Sequence, residues 1–241
     1  MTSVGRIYKE IAAAEIRLQE SFVDDCGPQL LLVEHAMVAL TEVLGSIQPL
    51  DPPHSAGSVG LPPAGRKNVV LGAQFMIGVR ALRVVQAARP MLAAGYEREA
   101  MVNNRIIVEL IEHRRAIRED TTGEEARQWL TSPRGRGIGR RIRDLAEGDL
   151  YKLESYAAHG DPRLLIPLVD PDRYSVPLAP ARSDLTQQSL VLYAGFFVHH
   201  LKVIADLTGA AISRLTPLRR ALEVEWEKFS SGRAMPPAPE I

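Results

Sequence analysis

Apolar residues recur along this chain at helical spacing. Ile7, Ile11, Ala14 and Leu18 stand at i, i+4, i+7 and i+11 with charged residues between them, which predicts a helix over about 3–24. Pro28 sits where a first helical turn tolerates proline, and LLLVEHAMVALTEVL predicts a second helix that Gly45 and Pro49 end. The stretch 47–67 is rich in Gly, Pro and Ser and reads as a long irregular loop. Asn68 caps a third helix, VVLGAQFMIGVRALRVVQAA, in which Pro90 predicts a kink or a break before Gly95. A fourth helix runs from Tyr96 to about Glu119, and its largely apolar circumference predicts a central position.

The middle of the chain changes character. Thr122 begins a short acidic helix ending near Trp129, and 134–148 is a basic helix candidate closed by Gly148. Asp149 caps the next, LYKLESYAAH, which Gly160 and Pro162 stop. A second irregular stretch covers roughly 160–182. Ser183 starts the most apolar helix, and after Gly209 a last helix runs to about Phe229 with Pro217 in its first turns.

No segment shows the strict alternation of a half-buried strand. The expected architecture is all-α: an antiparallel helical bundle of about eight or nine helices with two long Pro/Gly-rich loops. It forms a single helical domain over 1–231, with a disordered tail at 232–241. His199, His200 and Lys202 interrupt the apolar run 189–205 before about 18 residues accumulate, so this helix is expected inside the bundle and no membrane partner is expected.

Composition adds three constraints. Lys and Arg number 29 and Asp and Glu 29, so the net charge is zero and binding to nucleic acid would need a local patch. The lone Cys26 excludes a disulfide framework, and the charges spread through MTSVGRIYKEIAAAEIRLQE replace the apolar stretch of a signal peptide, so the cytoplasm is the expected location. Most of the 17 prolines fall into the two loops and the tail, between helices rather than within them.

Candidate chemistry begins on the fourth helix. Arg98, Arg105, Glu109 and Glu112 share a stripe about 60° wide, flanked by Met101, Val102, Ile106 and Val108. Arg105 and Glu109 stand at i and i+4, where the carboxylate can partner a guanidinium that does not deprotonate. The pair reads first as a structural ion pair or a solvated stripe, and second as part of a ligand or catalytic pocket in which Arg105 binds an anion. Further on, Tyr151, Ser155 and His159 recur at i, i+4 and i+8, where a phenol, a hydroxyl and an imidazole converge on one face. His159 also suits the end of a helix, where an imidazole meets free carbonyls.

The Arg-x3-Glu pair in NNRIIVELIEH, followed by Tyr-x3-Ser-x3-His in LYKLESYAAHGDP, resembles an uncharacterised bacterial all-helical family, a domain of unknown function. The resemblance implies an all-α fold and a conserved-type Arg/Glu/His polar site, without an established activity. Helical RNase toxins of bacterial defence systems carry Arg-x4-6-His on one helix, and no histidine here has an arginine at that spacing. A nuclease would have to bring Arg105 and His159 together across helices.

No metal or cofactor is expected. Glu-x-x-His, His-Glu-x-x-His and glycine-rich phosphate loops are absent, and His199 and His200 diverge by about 100° on a helix. One basic cluster, Arg134, Arg136, Arg140, Arg141 and Arg143, offers weak anion or nucleic-acid binding, balanced by Glu124, Glu125, Asp144 and Glu147 and lacking aromatics that would stack on bases. The expected function is that of a binding or interaction protein acting through Arg105, Glu109, Tyr151, Ser155 and His159. The alternative is a defence-type nuclease using Arg105 and His159. The partner is unknown, and a homodimer stays open.

Overall fold

A computed structural model describes residues 3–47, 66–131 and 183–230. Among these residues all regular structure is helical: α1 (Ser3–Ser46), α2 (Arg66–Ala93), α3 (Glu97–Glu119), α4 (Glu124–Thr131), α5 (Asp184–Thr208) and α6 (Leu215–Ser230).

α1 is one helix where the sequence predicts two. It passes through Gly27 and Pro28 without a break. Phe22, Cys26, Leu30, Val33, Met37, Leu40 and Leu44 are buried in steps of three and four residues on both sides of the proline, so a break would turn half of this stripe away from α5. An interior proline costs about 3 kcal/mol, and burying a single large apolar side chain returns roughly 1.5–3 kcal/mol. The stripe therefore outweighs the proline, which points to solvent.

Pro90 likewise lies exposed inside α2 and does not end it. The stop comes at Gly95, whose φ of 83° places it in the left-handed region. Its N–H donates to Leu92 C=O at 3.1 Å, and the N–H of Tyr96 donates to Met91 C=O at 2.8 Å. This is the paired arrangement that satisfies the last carbonyls of a helix and favours glycine. The chain then folds α3 back against α2. Ala73, Ala81 and Ala88, all fully buried, let α2 approach its neighbours closely.

The centre of the molecule is α5 rather than α3. α5 packs against α1, α2, α3 and α6, and it supplies Tyr193, Phe196, Phe197, Leu190 and Leu201 to the core, each almost without exposed surface. α3 contributes Ile107, Leu110 and Ile117, but Arg115, Arg118 and Glu119 keep its far end exposed. Lys67–Ala93 and Asp184–Thr208 are each long and apolar enough to cross a membrane; in this fold the apolar surface of α5 is covered by four helices.

Local chemistry places the remaining boundaries. Ser183 is the N-cap of α5, its hydroxyl accepting from the Leu185 N–H, and Gly209 ends the helix at φ 73°. Asp120 organises the turn into α4: its carboxylate accepts from Thr122 N–H and Oγ1 and from Glu125 N–H at 2.7–3.0 Å. Hydrogen bonds from Thr122 hold its carboxyl down at about 2. Among the described residues there are six helices, one fewer than the sequence predicts for them, because the Gly27-Pro28 step does not divide α1. The helices expected over 134–148 and 149–159, the irregular stretch 160–182, nearly all of the loop 47–67, and the tail lie outside the described residues.

Candidate functional site

α3 carries the polar stripe at its middle. The Nε of Arg105 donates to Oε1 of Glu109 at 3.1 Å, with 24% and 30% of the two side chains exposed. The i, i+4 relation read from the sequence is therefore made. Glu112, one turn on, is buried, and Arg98, two turns before Arg105, is half-buried. His113 turns an edge toward Trp129 of α4, with ring centroids 5.9 Å apart, so this part of α3 is braced from the side.

A partly exposed pair of this kind stabilises a helix by only about 0.3–0.5 kcal/mol. Arginine preceding glutamate is also the weaker order against the helix dipole. Its partial exposure sets the pair apart from the polar contacts sealed inside the bundle. Tyr151, Ser155 and His159, together with Arg134, Arg136, Arg140, Arg141 and Arg143, lie outside the described residues.

Several buried polar contacts had no signature in the sequence. Glu97, in the first turn of α3, reaches the start of α5: its carboxylate accepts from the Ser183 N–H and hydroxyl, each at 2.6 Å, from the Thr186 N–H at 3.1 Å and from the Thr186 hydroxyl. Asn104 donates to the Ser189 hydroxyl at 2.8 Å, tying α3 to α5 a second time. Gln29 of α1 donates to Glu225 of α6 at 2.5 Å, and Lys228 covers the other carboxylate oxygen. Each partner lies on a different helix from the residue it completes, apart from Lys228. Only the Ser183 cap was legible locally.

His200 is fully enclosed. Its ring is stacked on Phe196 with centroids 5.4 Å apart, and Nε2 lies 2.9 Å from the Gln74 carbonyl oxygen. A carbonyl only accepts, so the neutral ring carries its proton on Nε2. Nδ1 of His200 and both polar ends of the Gln74 side chain are buried and have no hydrogen-bond partner among the described residues. Burial first, then the nearby Arg114 guanidinium, holds the His200 imidazole far below its ordinary range, at about 3. His200 is thus a neutral core residue, consistent with the divergence of His199 and His200 around the helix. Among the described residues no three His, Cys, Asp or Glu side chains gather as metal ligands would.

No family model, curated protein or solved structure matches the chain.

Proposed function

We propose that this chain is a binding or interaction protein whose helical bundle presents the stripe around Arg105 to a partner. The reading rests on one observation: Arg105 and Glu109 are paired at 3.1 Å while each keeps about a quarter to a third of its side chain in solvent. Glu109 holds a permanent cation in place on a helix that the core immobilises, so little conformational freedom is lost when an anionic group arrives. Stability does not explain the pair, because its own contribution is small. The resemblance of the Arg-x3-Glu and Tyr-x3-Ser-x3-His motifs to an uncharacterised bacterial helical family fits the same reading, with Tyr151, Ser155 and His159 completing the site. The buried Cys26, the one cysteine of the chain, suits a reducing cytoplasm.

The test is affinity capture from the native cell with wild-type protein and Arg105→Ala, both shown to be folded by circular dichroism, with identification of bound protein, nucleic acid and metabolite. A species held by the wild type and lost by Arg105→Ala is expected. Equal recovery overturns the assignment. Cleavage of RNA by the wild type, abolished in both Arg105→Ala and His159→Ala, would replace binding by nuclease activity.

A further inference from the structure

α1 builds the core with one stripe and keeps a second apolar line in solvent. Tyr8, Ile16, Val23, Leu31 and Val38 are between 46% and 70% exposed, and they follow one another at alternating intervals of eight and seven residues along Ser3–Ser46. Ala12 and Gly27 fill two of the intervening turns, so a ridge of apolar and small residues runs the length of the helix. Val23, Gly27, Leu31 and Val38 each come one position after a residue of the buried stripe, which turns the ridge about 100° away from the face packed on α5. Exposed apolar side chains scattered singly need no explanation, but five in one line on one helix mark a surface that another element covers.

Gly27 is a second observation on the same ridge. It lies in mid-helix, its φ is not in the left-handed region, and no described atom stands within 4 Å of a Cβ placed on it. Glycine weakens a helix interior, and neither the backbone nor a neighbour in the bundle requires it here. A small residue at the middle of the ridge lets a second helix approach closely.

We propose that this ridge is the seam of a homodimer, in which a second copy of the chain packs its own α1 antiparallel against it. The ridge is self-complementary: a two-fold axis at Val23 sets Val23 on Val23 of the second copy, Ile16 beside Leu31 and Tyr8 on Val38, because Tyr8 and Val38 are equidistant from Val23 in the chain. Such a contact is isologous and closes at two copies. Charge selects the antiparallel sense. It brings Arg6 and Lys9 within one turn of Glu42 and Glu34 of the second copy, whereas a parallel pair would set each carboxylate against its own counterpart. Arg214 and Arg89 hold Glu42 and Glu34 from one side only, leaving 56% and 42% of the two side chains exposed. Glu20 and Asp24 flank the axis and work against association. A helix of 44 residues is about 66 Å long and about 10 Å wide, so the pair covers about 1,300 Å² in all, which lies within the range of stable interfaces.

The experiment measures the mass of the full chain by light scattering and sedimentation equilibrium between about 1 and 100 μM. Twice the monomer mass of 26.5 kDa is expected. Val23→Asp and Leu31→Asp should each weaken the dimer at least about 100-fold, since the two-fold places every change in the seam twice. Both side chains are exposed in the monomer, so these variants stay folded by circular dichroism. Asp24→Asn should tighten the dimer, and Val224→Asp, at an exposed position on α6, should leave it unchanged. On oxidation Val23→Cys should give a covalent dimer; Tyr8→Cys alone should not, but mixed with Val38→Cys it should. The wild type, whose one cysteine, Cys26, is buried, is the control. A monomer at every concentration, dimers untouched by both Asp substitutions, or self-linking of Tyr8→Cys overturns the proposal. A monomer would give the ridge to another occupant, a different protein or residues 132–182 of the same chain.

Discussion

Glu97 in the first turn of α3 accepts from both the backbone N–H and the hydroxyl of Ser183, the residue that caps α5. One carboxylate therefore closes the N-terminus of the central helix from a neighbouring element. It sits where backbone donors are left over and the helix dipole favours negative charge.

Glu97→Ala should destabilise the fold by roughly 2–4 kcal/mol, since buried donors on Ser183 and Thr186 lose a charged acceptor. Glu97→Gln, which keeps one acceptor oxygen, should cost less. Urea unfolding midpoints of the two variants check the order. Equal midpoints for wild type and Glu97→Ala would show that the cap contributes nothing.

Two glycines in helices should respond to alanine in opposite directions. A Cβ on Gly78 would lie 2.9 Å from His200 Nε2 and 3.2 Å from Leu44 Cδ1. The His200 ring cannot give way easily, because it is held by Gln74 and by Phe196. Gly78→Ala should cost about 1–3 kcal/mol through overpacking. Gly45 is exposed with nothing described within 4 Å of such a Cβ, so Gly45→Ala should gain up to about 0.5–1 kcal/mol from helix propensity. Thermal unfolding of both variants measures the sign directly.

What could be read from the sequence divides along the same physical line. Ser183, Gly209 and the limits of α3 were legible because caps and stops act within a few residues. Pro28 misled because a local helix-start signal was set against burial supplied by distant helices, and α2 continues past Pro90. The Arg105–Glu109 pair was legible because i, i+4 is a local relation. Gln29 gave no warning of Glu225, from which 196 positions separate it. The polar contacts that join helices are tertiary facts, and no periodicity records them. For the same reason α3 was expected at the centre: its apolar residues were visible, but not how many helices would gather around α5.

Arg105 and Glu225 should separate a surface pair from a buried one. Arg105→Ala removes a partly exposed interaction and should change stability by less than about 1 kcal/mol. Glu225→Ala strips the buried Gln29 amide of its acceptor and leaves Lys228 without its carboxylate, for a loss of about 2–4 kcal/mol. Chemical denaturation of the two variants, compared under one set of conditions, is sufficient. A large loss in Arg105→Ala would make the pair structural and remove the reason to read it as a binding group.

Stability should fall as pH drops from neutrality, with His200 a principal cause. In the unfolded chain a histidine takes up its proton below about 6.5, whereas folded His200 stays neutral down to about 3. Between those values the unfolded state binds more protons, so folding stability declines with falling pH by up to about 1.4 kcal/mol per pH unit for this group. Above 6.5 the group has no effect, being neutral in both states. His199 acts in the same direction between 6.5 and about 4, and Asp120, charged in the folded state down to about 2 against 3.8 ordinarily, extends the decline at the acid end. The variant to compare is His200→Gln, which keeps an amide donor for the Gln74 carbonyl but does not titrate. Its stability relative to wild type should improve steadily as pH is lowered from 6.5 to 4, whatever its offset at neutral pH. Parallel pH profiles for the two proteins would mean that His200 is not the group that resists protonation in the folded chain.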